Sequence, residues 1–205
     1  EQSLYLRPDF LDAKFYLALT HDKLKNFNMT EYLLKEIIAT DPNNEKALNY
    51  LGYSYTDKTI HLEEAEQMLI KVVKLRPNVC AYLDSMGWLY YKKKNYELAE
   101  KYIFDAINAT PKTFDKDVYE HLGDVSIELK KLSQAWLAYA VAYDLGSKTA
   151  KKKLNLLDKK FEQEKDLQKE KFKVICERAI LNFHRIASLK AGYKLNIKIN
   201  KTSIS

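Results

Sequence analysis

Residues that break helices are scarce in this chain. Among its 205 residues there are four prolines and five glycines. Such scarcity excludes collagen-like, low-complexity and turn-rich β architectures, which need stops every few residues. Cysteine is nearly absent too. Cys80 and Cys176 are far apart, with no Cys-x-x-Cys pair. That excludes a disulfide-stapled miniprotein and a thiolate zinc site, and both cysteines read as packing residues. No apolar run approaches the roughly 20 residues that span a bilayer, and no stretch of these residues reads as a secretory signal. There is no glycine-rich phosphate loop. The histidines His21, His61, His121 and His184 are dispersed, and none has a second ligand at helical spacing. No catalytic constellation, no metal site and no cofactor is expected.

The few prolines are informative by their positions, Pro8, Pro42, Pro77 and Pro111, at intervals of 34, 35 and 34 residues. Proline lacks an N–H and disfavours helical conformation in the preceding residue. Breakers at a fixed interval therefore mark a repeated helical unit. Other residues keep the same period. One unit carries Leu48, Leu51, Gly52, Tyr55, Ala65 and Leu69 before Pro77. The next carries Leu83, Met86, Gly87, Tyr90, Ala99 and Ile103 before Pro111. A third carries Tyr119, Leu122, Gly123, Ser126, Ala135 and Tyr139 before Gly146-Ser147, which replaces the closing proline. The first unit is the weakest, with Leu17, Ala18, His21, Thr30 and Leu34 before Pro42. A small residue on each of two helices lets them approach closely, and larger apolar residues fill the space between stacked units.

This pattern resembles the tetratricopeptide repeat, a helix–turn–helix of 34 residues. The resemblance covers residues 1–147 and implies an all-α superhelical solenoid. Four repeats are expected within 9–147, at about 11–44, 45–79, 80–113 and 116–147. Residues 1–8 read as the end of a preceding repeat, and the chain as a piece of a longer array. One extra residue falls in Asp57–Leu62, the turn inside repeat two, and a second widens the connection at Pro111–Asp115.

The C-terminal part differs in charge. Residues 1–147 hold 18 basic and 22 acidic side chains, and residues 148–205 hold 16 and 6. In the tail, acids are interleaved with the lysines, as on a solvated helix with i,i+4 pairs, and no aromatic–basic platform for nucleic acid is seen. Leu154, Leu157 and Phe161 form a short apolar stripe, so residues 148–171 are expected to be a capping or linker helix. A richer stripe runs from Phe172 to Leu189. Beyond Gly192 the residues Tyr193, Leu195, Ile197 and Ile199 alternate with polar ones, the signature of a short strand. Residues 172–205 thus read as the start of a second domain, or as a segment through which chains self-associate.

In tetratricopeptide proteins the first helix of each repeat, helix A, lines a concave groove. The resemblance carries groove positions onto Phe15 and Leu19 in repeat one and Asn49 and Tyr53 in repeat two. In repeat three it selects Asp84, Trp88 and Tyr91, and in repeat four Glu120, Asp124, Ile127 and Glu128. The implied function is non-enzymatic. A protein or peptide partner would anchor on Tyr53, Trp88 and Tyr91, while Asp84, Glu120, Asp124 and Glu128 would favour basic flanking residues. The carboxylate clamp of chaperone-tail binders is not expected, because its positions hold no basic residue. Strings such as Ala47-Leu48-Asn49-Tyr50-Leu51-Gly52-Tyr53 and Leu83-Asp84-Ser85-Met86-Gly87-Trp88 are similar to those of bacterial envelope tetratricopeptide lipoproteins, some of them adaptors. That resemblance implies a scaffold at the periplasmic side of an outer membrane, with the cytoplasm as the alternative location. The rival readings are repeats that position a C-terminal β carrier domain for a lipoprotein or apolar ligand, and a self-assembling structural protein.

Overall fold

The computed structural model describes residues 8–109 and 115–163 and, among them, nine α-helices and no strand. In chain order these are α1 (Pro8–Lys23), α2 (Phe27–Thr40), α3 (Glu45–Lys58), α4 (Leu62–Leu75), α5 (Cys80–Lys92), α6 (Tyr96–Ala109), α7 (Lys116–Glu128), α8 (Leu132–Asp144) and α9 (Lys148–Gln163). They fall into two compact units that divide between Asn95 and Tyr96. The first holds α1–α5 and the second α6–α9. Several expectations lie outside the described residues: all but the last residue of the preceding repeat expected at 1–8, the break at Pro111, Cys176, His184, and the second domain or self-association segment at 172–205.

The prolines do two jobs. Pro8 is the first residue of α1, where its missing N–H costs nothing. Pro42 and Pro77 each follow the residue that closes α2 or α4, Asp41 and Arg76. Side-chain oxygens then start helices. Asn26 accepts from the Met29 amide, Asn44 from Ala47, Asp115 from Asp117 and Ser147 from Ala150. Each such cap contributes about 1 kcal/mol.

One turn recurs five times. After α1, α3, α5, α7 and α8 the chain passes through a left-handed residue: Lys25, Thr59, Lys94, Lys130 or Gly146. That residue's amide bonds back three residues and the next amide bonds back five, as in Lys130→Ile127 and Lys131→Ser126. These are Schellman closures, and they satisfy carbonyls that the helix end would leave bare. Only Gly146 takes this conformation freely. In four of the five turns the residue after the left-handed one directly precedes the next helix. In repeat two a second left-handed residue, His61, is interposed before Leu62. That is where the inserted residue expected in Asp57–Leu62 is absorbed.

Close approach inside the hairpins follows the small residues. Ala18, Ala65 and Ala135 have no exposed surface. The Thr30 hydroxyl donates across α1/α2 to the Ala18 carbonyl at 3.3 Å. A Cβ on Gly52 would lie 2.9 Å from Leu69 Cγ. One on Gly123 would lie 2.8 Å from Tyr139 Cζ and closer still to two other ring atoms. The first unit's core is built on Leu34, Ile37, Leu51, Tyr55, Leu69 and Val72, all fully buried. In the second unit Tyr119, Ala135, Tyr139, Val141 and Ala142 pack against Ala150, Leu154 and Leu157 of α9.

Candidate functional site

Phe15, Leu19, Asn49 and Tyr53 are all half-buried, on α1 and α3 of the first unit. Side chains lock these two helices together across their shared face. Phe15 meets Tyr50 edge-to-face at 5.9 Å. Tyr50 donates its hydroxyl to Asp22 at 2.8 Å, and Lys46 pairs with Asp12 at 3.0 Å. Burial, together with the neighbouring carboxylate, pushes the Tyr50 phenol well above its ordinary pKa, so it stays a donor. The Asn49 side-chain oxygen is buried and has no hydrogen-bond partner among the described residues. An unsatisfied buried acceptor costs about 1–3 kcal/mol. Stability alone therefore gives no account of an asparagine here.

On α5, Trp88 is stacked on Tyr91 with ring centroids 4.7 Å apart and planes within 8°. The Lys92 ammonium lies over the Trp88 ring and reaches the Asp57 carbonyl of α3. Trp88 is only 9% exposed and Asp84 only 8%, whereas Tyr91 is half-buried. Of the α5 candidates, Tyr91 offers the most accessible surface.

The candidates of α7 are already engaged. Lys153 of α9 sits between Glu120, at 2.9 Å, and Asp124, at 2.7 Å. Tyr139 donates to Asp124 at 2.7 Å, Ser147 donates to Glu120 at 2.6 Å, and the Lys153 ammonium lies 5.5 Å from the Tyr139 ring centroid. Burial pushes the Glu120 pKa up, but hydrogen bonds from Ser147 and Lys153 outweigh it and hold the carboxyl below its usual value. Burial pushes Lys153 down, and its two carboxylate partners more than reverse this. Ile127 packs against the core of the second unit, and Glu128 is exposed near Tyr96. Sequence reasoning missed Lys153. Its signal was spacing: it stands three residues after Ala150 and four before Leu157, both buried, so it shares their helix face.

No protein-family model matches the chain. A curated relative, TPR repeat-containing protein PA4667 of Pseudomonas aeruginosa, is 34% identical over 124 residues, 60% of this chain. The chain spans 20% of that protein's length. Two solved structures are similar. One is TTC0263, a thermophilic TPR protein of Thermus thermophilus, with a TM-score of 0.61 at 18% identity over 72% of this chain and 80% of that one. The chain has the tetratricopeptide-repeat fold. The second structure is pilF of Pseudomonas aeruginosa, with a TM-score of 0.63 at 20% identity over 90% of this chain and 78% of that one. At such identities the structural likenesses speak to the tetratricopeptide fold alone.

The tetratricopeptide register thus brings Phe15, Leu19, Asn49 and Tyr53 to neighbouring helices of one unit, with Asp84, Trp88 and Tyr91 on α5 of that unit. It sets Glu120, Asp124, Ile127 and Glu128 on α7 of the other. Among the described residues no three His, Cys, Asp or Glu gather as a metal site, and no helix is long and apolar enough to cross a membrane.

Proposed function

We propose that the protein is a non-enzymatic scaffold whose A helices hold an extended or helical segment of a protein partner. The observation that carries this reading is the row of half-buried rings and apolar side chains supplied in register by α1, α3 and α5: Phe15, Leu19, Tyr53 and Tyr91. Large rings held rigid by neighbours give contact area at little entropic cost, as interface hot spots do. Asn49 supplies a buried oxygen without a partner, suited to accept from a segment's amide. On α7, a basic segment would have to compete with Lys153 for Glu120 and Asp124.

Panning the full chain with a random twelve-residue peptide-display library tests this. Selected peptides should bind the wild type and lose at least fivefold affinity on Tyr53→Ala or Phe15→Ala, with helicity unchanged. Peptides indifferent to both substitutions would move the binding surface elsewhere. The string resemblance to envelope lipoproteins supports a periplasmic setting, and fractionation of the native source tests it.

A further inference from the structure

The shared face of α1 and α3 ends in a cavity of about 450 Å³ beside the first hairpin turn. It is lined by the buried or half-buried Asp22, Phe27, Tyr50, Tyr53 and Ser54 and by the exposed Lys25, Asp57 and Lys58. We propose that this cavity is a socket for an arginine side chain of the partner segment. The proposal rests on the groove reading above and names its anchor.

The charges that line the socket balance, Asp22 and Asp57 against Lys25 and Lys58, but they differ in exposure. Asp22 is half-buried, while Lys25, Asp57 and Lys58 are exposed. Of these four, only the Asp22 carboxylate is withdrawn from the surface. Tyr50 satisfies Asp22 Oδ2, and Oδ1 has no hydrogen bond among the described residues. Ser54 supplies a second polar group. It is 8% exposed, borders the cavity, and its hydroxyl has no hydrogen bond among the described residues. Around these two polar groups stand three aromatic rings, whose negative faces attract cations; one of them, Phe27, already carries Lys58. A planar guanidinium fits this set best. It can donate to Asp22 Oδ1 and to the Ser54 oxygen while lying against a ring, and it sheds water more readily than an ammonium.

The chain uses the same chemistry on itself. Lys153 of α9 lies among carboxylates and over the Tyr139 ring, with the Ser147 hydroxyl on the same Glu120 carboxylate. Carboxylate, tyrosine and serine recur in the socket, but among the described residues no lysine pairs with Asp22; Lys58 lies over the Phe27 ring instead. The exposed lysines refine the specificity. Lys58 is held over the Phe27 ring at 4.7 Å, and neither Lys25 nor Lys58 has an ion pair among the described residues. A second basic residue beside the arginine would meet these lysines, whereas an acidic one would pair with them.

The test uses the full chain and the library-selected peptides. We expect an arginine at a fixed position. Replacing it with norleucine should weaken binding at least tenfold, and with lysine severalfold. Asp22→Asn, which keeps an acceptor for Tyr50, should weaken the arginine peptides about tenfold but leave the norleucine peptides unchanged. Ser54→Ala, a smaller change to the fold, should do the same to a lesser degree. Peptides that bind through Tyr53 but show no arginine preference and ignore Asp22→Asn would overturn the socket and leave the groove standing. A library that yields no binder sensitive to Phe15→Ala or Tyr53→Ala would overturn both.

Discussion

Replacing Gly123 with alanine should disrupt the fold more than the same change at Gly52. A Cβ on Gly123 would sit 2.8 Å from Tyr139 Cζ and nearer to two other ring atoms. The ring has no easy exit. Its hydroxyl donates to Asp124, Lys153 covers one face, and the residue is 3% exposed. Forcing an extra methyl into such packing costs about 1–3 kcal/mol, and alanine's better helix propensity returns about 1 kcal/mol. The ring's confinement favours the upper end of the range, so a net loss of about 2 kcal/mol is expected. Gly52→Ala is the internal control. Its Cβ would meet Leu69 Cγ at 2.9 Å. That is a flexible side chain, so the change should stay within about 1 kcal/mol of wild type. Urea unfolding followed by circular dichroism, with slopes compared to confirm a common denatured state, measures both. Tyr139→Leu in the Gly123→Ala background should recover part of the loss, because it removes the obstructing ring. A Gly123→Ala protein as stable as wild type, or less perturbed than Gly52→Ala, would refute the close-packing argument.

The Glu120–Lys153–Asp124 network should make stability depend on pH at both ends. Glu120 titrates below its unfolded value, so its contribution is present above ordinary carboxylate pH and fades as pH falls through the lowered value. Lys153 titrates above its unfolded value, so its contribution is full below about pH 10 and fades as pH rises further. Lys153→Met should cost about 2 kcal/mol at neutral pH and flatten both limbs, as pH-resolved urea titrations would show. Asn49→Leu should raise stability by about 1 kcal/mol, because it removes an unsatisfied buried oxygen, while weakening selected peptides at least fivefold. A stability loss in that variant would mean that Asn49 is structural. Lys130→Gly should stabilise the chain by about 0.5–1 kcal/mol, since it relieves a left-handed lysine at 58°; a thermal melt reads the shift.

Much of the fold was legible in spacing. Proline interval, the Gly/Ala pairs and the apolar register are dictated by hairpin geometry, which tolerates few alternatives at Ala18, Gly52 or Gly123. The inserted residue at Asp57–Leu62 was visible as a length difference, though its solution, a left-handed His61, was not. The site was legible only as positions. Register says which residues share a face, but not how deeply Trp88 sinks or that Asp84 is covered, because burial depends on rotamers and neighbours. Lys153 read as one lysine among many, since its partners lie some thirty residues away and meet it only through the docking of α9. The socket escaped notice for the same reason: Phe27 comes from repeat one, Tyr50 and Ser54 from repeat two, and they carry no motif.

The central claim is that a partner segment lies on the A-helix faces. Amide chemical-shift mapping of the full chain, titrated with a library-selected peptide, tests it most directly. The account predicts perturbations concentrated at Phe15, Leu19, Asp22, Asn49, Tyr53 and Tyr91. Perturbations confined to the outward faces of α2 and α4, with these residues unmoved, would contradict it.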